Sequence, residues 1–119
     1  MPSSTGAIPL DLVVEQGITW QHAYIWEDNA TLADPPVYEI QDTSGCTGVI
    51  TVNFGVLPLT TIIATMGGAN GSVSYDLTAA QAAALAVGGG VYDEILTDRG
   101  GKTHRNFEGG FRVIPTVGG

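Results

Sequence analysis

Residues 18–26, ITWQHAYIW, place their aromatic side chains at every second position from Trp20 to Trp26. Successive side chains of a strand point to opposite faces. Ile18, Trp20, His22, Tyr24 and Trp26 then share one side, and Thr19, Gln21, Ala23 and Ile25 the other. The segment predicts a strand with an aromatic, core-facing side. The same grammar recurs along the chain. Strand-like runs at residues 10–15, 37–41, 46–54, 59–65, 72–77, 91–97, 102–107 and 110–117 are separated by turn residues. Gly17, the loop 27–36, Asp42-Thr43-Ser44-Gly45, Pro58, residues 67–71 and Asp98-Arg99-Gly100-Gly101 are the breaks. Asn70-Gly71 suits a type I′ hairpin, and Gly48 reads as a bulge. Thr, Val and Ile together make up 33 of the 119 residues, which favours strands.

One stretch departs from the pattern. Thr78 and Gln81 have the spacing of a capping box ahead of the alanine-rich residues 79–86, and Gly88 follows. That predicts a single short helix near residues 79–86. About eight strands at roughly ten-residue intervals with one helix predict an all-β fold. Its expected architecture is an antiparallel two-sheet β-sandwich, immunoglobulin-like or jelly-roll-like. Strands do not alternate with helices, which argues against a parallel βαβ sheet. The length suits one domain, residues 10–117, preceded by an N-terminal arm, residues 1–9. The expected core is Val13, Trp20, Tyr24, Ile50, Val52, Ile62, Val73, Tyr75, Leu85, Tyr92 and Val113.

Charge narrows the function. Four basic residues face twelve acidic ones, for a net charge of −8. Phosphate neutralisation needs Lys and Arg, so a nucleic-acid face is not expected. All four cations, Arg99, Lys102, Arg105 and Arg112, lie after Asp98, and Glu108 is the only acid among them. This split suits head-to-tail contact between copies or with a neighbour. The arm is expected to pack on another subunit, since ordering costs about 1–2 kcal/mol per residue and must be offset by contacts. Cys46 is the lone cysteine, which fits assembly in a reducing compartment. No signal peptide and no membrane span is visible. Asn29-Ala30-Thr31 and Asn70-Gly71-Ser72 match the glycosylation pattern and are read as turns.

Residues with chemistry are sparse. His22 is expected to be a hydrogen-bonded structural histidine, and His104, between cations, a solvated one. Cys46 is expected to be an inert buried residue. One Cys and two distant His do not make a zinc site. The acids cluster twice, as Asp93, Glu94 and Asp98 and as Glu27, Asp28 and Asp34; paired carboxylates for glycoside hydrolysis need a cleft that so short a sandwich rarely provides. The second group lies in a loop read as solvated: calcium ligands converge from one loop, but this one lacks the EF-hand pattern. Gly88-Gly89-Gly90 lies between a helix end and a strand, the wrong order for holding phosphate. Trp20, Tyr24 and Trp26 are weighed as a sugar platform, with core packing preferred. No catalytic, cofactor-binding or metal-binding residue is assigned, and no cofactor is expected.

The chain nevertheless resembles a group of small β-sandwich virion proteins of tailed bacteriophages, similar to the N-terminal domain of the phage baseplate upper protein. The carriers are the strand start QGITWQHAYIW, the turn DTSGCTG, the run GSVSYDLTAAQAAAL and, most specific, GGGVYDEILTDRGGKTHRNFEGGFRVIPTV. Together they span most of residues 12–117. Two departures stand out. Cys46 occupies a position that is usually aromatic. Glu94 precedes Ile95 where the family tends to place an apolar residue before the acid, which leaves open which face of that strand is buried and allows a bulge there. The resemblance implies a non-enzymatic structural protein of the virion, assembled in the host bacterial cytoplasm. It is expected in the tail or baseplate, with other virion proteins and copies of itself as partners. A capsid decoration or minor head protein is one alternative. A carbohydrate-binding module for host adsorption is another.

Overall fold

The computed structural model describes residues 7–29 and 38–116. The chain forms a β-sandwich of one six-stranded and one three-stranded sheet, with a separate two-stranded ribbon. The strands in chain order are β1 (Ile8–Pro9), β2 (Leu12–Glu15), β3 (Trp20–Ile25), β4 (Glu27–Asn29), β5 (Tyr38–Ile40), β6 (Thr47–Asn53), β7 (Thr60–Ile63), β8 (Thr65–Met66), β9 (Ser72–Leu77), β10 (Gly88–Thr97) and β11 (Thr103–Ile114). The large sheet runs β1-β11-β10-β6-β7, with β2 also on β11. The small sheet runs β3-β9-β8, and β4 pairs with β5.

The antiparallel expectation holds except at one edge. There β1 and β2 both run parallel to β11, at Phe107–Glu108 and Phe111–Ile114 respectively. The large sheet therefore begins before residue 10, inside the segment read as an arm. Residues 1–6 lie outside the described residues. Between β1 and β2 the chain crosses Gly109 and Gly110. A Cβ on Gly109 would stand 2.4 Å from the Leu10 carbonyl oxygen, so only glycine admits this crossing. Leu10 N–H donates to the Glu108 carbonyl at 2.9 Å, and Gly110 N–H to Asp11 Oδ1 at 2.8 Å. The glycines expected to end a strand instead lie within it, and the two closing strands expected at 102–107 and 110–117 are one.

The β7–β8 segment changes sheets. β7 pairs with β6 in the large sheet, Ala64 N–H donates to the Gly48 carbonyl at 3.0 Å, and β8 pairs with β9 in the small sheet. This corner joins the sheets along one side of the sandwich.

Turns follow their side chains. Asp98 Oδ1 accepts the N–H groups of Gly100 and Lys102, and Gly101 takes a positive φ of 88° in the β10–β11 hairpin. Asp42 Oδ1 accepts from Ser44 N–H before Gly45, at φ 75°. Asn70 does not take the left-handed form that a type I′ turn requires. Gly68–Asn70 is a single 3₁₀ turn closed by Gly71, and Asn70 Oδ1 accepts from Ser72 N–H. Asn29, in the other glycosylation-like triplet, ends β4, and Ala30 and Thr31 lie outside the described residues. The helix α1 (Ala79–Ala83) carries the full capping box, with Thr78 Oγ1 accepting from Gln81 N–H and Gln81 Oε1 from Thr78 N–H. It stops well short of Gly88, which opens β10 instead.

The core contains Ile50, Val52, Ile62, Val73, Tyr75, Tyr92 and Val113, as expected, together with Leu12, Val14, Leu96 and Phe111. Trp20, Tyr24 and Leu85 are half-buried against it. Val13 is 51% exposed. The parallel register on β11 turns Leu12 and Val14 inward, so the face assigned to this strand is reversed. Gly48 is not a bulge. It pairs in register with Leu96, and a Cβ there would lie 2.6 Å from the Tyr75 hydroxyl. The irregularity sits elsewhere in that neighbourhood. Between Glu94 and Ile95 the pairing with β11 shifts, leaving Asn106 as the extra residue.

Candidate functional site

The bulge marks the chemically unusual part of the molecule. Tyr92, Glu94 and Leu96 alternate on the inner face of β10, and all three are buried; Glu94 has no exposed surface. The order Glu94-Ile95 therefore leaves the strand's phase intact and places a carboxyl group between the two sheets. The buried face of this strand, which the sequence leaves open, is thus the one that carries Tyr92, Glu94 and Leu96.

The small sheet supplies its partners. Tyr24 on β3 and Tyr75 on β9 both donate their hydroxyls to Glu94 Oε2, Tyr75 at 2.6 Å. The Tyr24 hydroxyl in turn accepts from Asn106 Nδ2 at 3.1 Å, so the bulged residue of β11 closes the network. Gly48 leaves the space that the Tyr75 hydroxyl occupies. Glu94 Oε1 is buried without a hydrogen-bond partner. Burial pushes the Glu94 carboxyl above the ordinary carboxylate range, and the two phenol bonds only partly oppose this. Both phenols are raised, first by burial and then by the adjacent carboxyl.

His22 lies directly opposite Tyr75 in the β3–β9 ladder. Its ring packs among Trp20, Tyr24, Tyr75 and Phe107, with centroid separations of 5.2–6.5 Å. Nε2 is buried and has no hydrogen-bond partner, contrary to the expectation of a hydrogen-bonded histidine. Burial holds its pKa below the ordinary value.

The remaining candidates separate. His104 is not simply solvated: its Nε2 lies 3.0 Å from Asp98 Oδ2, and its ring meets Trp26 at 5.1 Å. The contact with His104, then the N–H groups of Lys102 and Gly100, hold the Asp98 carboxyl below the usual range. Asp93 lies on the outer face, 3.4 Å from Arg105. Arg99 reaches Asp42 at 3.9 Å. Cys46 is buried just before β6. Of the loop 27–36, Glu27–Asn29 forms β4 and residues 30–37 lie outside the described residues; no metal-holding group of His, Cys, Asp or Glu is found among the described ones.

The aromatic stripe is likewise divided. Tyr24 faces Glu94 and Phe107, and Trp26 faces His104. Trp20 borders a shallow cleft of about 420 Å³ with Thr19, Gln21, Asp76 and Gln81. Gln21 Nε2 is bonded to Asp76 there, at 2.9 Å. The three rings therefore do not form a continuous sugar platform.

The sequence signal for the buried carboxyl is the alternation in VYDEILT, which places Glu94 in phase with Tyr92 and Leu96. Its partners are 70 and 19 residues away, beyond the reach of motif spacing. No protein-family model matches the chain, and no curated protein matches it.

Proposed function

We propose that this chain is a non-enzymatic structural protein of a tailed-bacteriophage particle, positioned in the tail or baseplate and acting through contacts with other virion proteins and with copies of itself. The observation that carries this reading is where the most specific resemblance falls. Residues 88–114 of that stretch are β10, its turn and β11, the longest strand pair of the sandwich. The resemblance thus rests on the framework of the fold and not on surface loops.

The surface supports the same reading. Ile63 and Val91 are more than 60% exposed on strands of the large sheet, and Val56 and Leu57, in the segment between β6 and β7, are exposed as well. Apolar groups so placed favour protein contacts. Lys102 and Arg112 make no ion pair among the described residues, which leaves cations for an acidic neighbour.

The test is to purify particles, separate heads from tails, and identify the chain in each fraction by mass spectrometry. Its presence in the tail fraction at stoichiometric amount is expected. Presence in heads alone would move it to the capsid, and absence from washed particles would refute the reading.

A further inference from the structure

Among the described residues, Glu94 and His22 are the two titratable groups that each bury a polar atom with no hydrogen-bond partner. Both lie in the layer between the sheets, and both touch the same two tyrosines: Glu94 through its hydrogen bonds, His22 through ring contacts with Tyr24 and Tyr75. We propose that this pair is a compensating device, in which His22 and Glu94 give the sandwich opposite responses to pH, so that each offsets part of the other's in mildly acidic solution.

The groups facing the pair are few. β3 contributes His22 and Tyr24, β9 contributes Tyr75, and β10 contributes Tyr92 beside Glu94 itself. β11 contributes Asn106 and Phe107, and β6 contributes Ile50, none of which titrates. Arg105 is engaged with Asp93 on the outer face. No fixed cation therefore compensates an ionised Glu94, and the three phenols stay neutral through the range concerned.

The signs follow from burial, which disfavours the charged form of each group. For Glu94 the folded state holds its proton more tightly than the unfolded chain. Stability is then full below 4.5 and is lost as pH rises from there through the raised folded value. For His22 the folded state holds its proton less tightly. Stability is full above 6.5 and is lost as pH falls from there through the lowered folded value. Where the ranges overlap, the two slopes oppose one another. Asp42 and Asp98 have lowered values, so their contributions fall away only below 3.8.

The test is equilibrium urea denaturation of the full chain between pH 4.5 and 6.5, for wild type, Glu94→Gln, His22→Gln and the double variant. The double variant is expected to be level, and wild type to vary less with pH than either single variant. Glu94→Gln is expected to lose stability on acidification and His22→Gln on alkalinisation, each by at most about tenfold in the folding constant per pH unit. Single variants whose profiles run parallel to wild type would overturn the proposal. Where a variant does not fold, NMR titration of the wild-type Glu94 carboxyl carbon and His22 ring replaces it. Values above and below the ordinary ones support the device, and two ordinary values refute it.

Discussion

The two halves of the inter-sheet layer are built from similar rings and work differently. At one end Phe111 meets Trp20, Phe54 and Tyr92 edge-on, at centroid distances of 5.9–6.2 Å. Leu12 and Val14 belong to the same apolar cluster, and the only polar demand from these rings that the fold must meet internally is that of the Tyr92 hydroxyl, which donates to the Leu10 carbonyl at 2.7 Å. At the other end Tyr24, Tyr75, His22 and Asn106 surround Glu94. Edge-on ring packing is tolerant, since each contact is a small part of a large buried area. A buried carboxyl is not, because each lost partner leaves an unmet polar group. The difference predicts graded losses at the first end and coupled losses at the second.

The largest loss expected from a single substitution is at the apolar end. Phe111→Ala empties a fully buried site and should cost about 3–5 kcal/mol in chemical denaturation. A loss under 1 kcal/mol would show that the ring is not central to the packing. Gly48→Ala tests the space beneath Tyr75. Its methyl would meet the Tyr75 hydroxyl at 2.6 Å, with Ala64 and Met66 each at 3.1 Å, so overpacking of about 1–3 kcal/mol is expected. An unchanged denaturation midpoint would mean that the hydroxyl lies elsewhere.

Tyr75→Phe removes one of the two donors to Glu94 and should cost about 1–3 kcal/mol. Combined with Glu94→Gln it sharpens the comparison. A double-mutant cycle should return a coupling of about 0.5–3 kcal/mol, whereas additive losses would mean that the network is not one unit. Thr78→Ala is the smallest effect. It removes the side-chain cap of α1 and should cost about 1 kcal/mol, with a reduced helical signal in circular dichroism. No change in either would show that α1 does not depend on its cap.

What the sequence made legible was local. The Trp20–Ile25 alternation, the Asp98 turn and the Thr78 cap each depend on neighbours within a few residues, and each is found. What it obscured was set at a distance. Leu12-Val13-Val14 is apolar throughout, so its phase could not be read before the parallel register on β11 fixed it. Gly109-Gly110 looked like a break because the chain that crosses it lies about a hundred residues away. Glu94 is in phase with Tyr92 and Leu96, yet carboxylates are almost never fully buried, and these two signals together left the buried face of the strand open. Tyr24 and Tyr75 are what make the exception tolerable.

The change of sheets at Ala64 gives the sandwich the anatomy of a bound book. The chain itself is the spine, carried from β7 into β8 with the Ala64 amide held on Gly48. Across from it, β3 and β11 face one another as loose leaves, joined by Phe107, Phe111 and the Glu94–Tyr24–Asn106 clasp. Any breathing of the molecule is therefore lopsided. The covers are expected to part at the clasp before the binding does, so amide protons along the edge strand β3 should exchange with solvent before those of the inner strand β6.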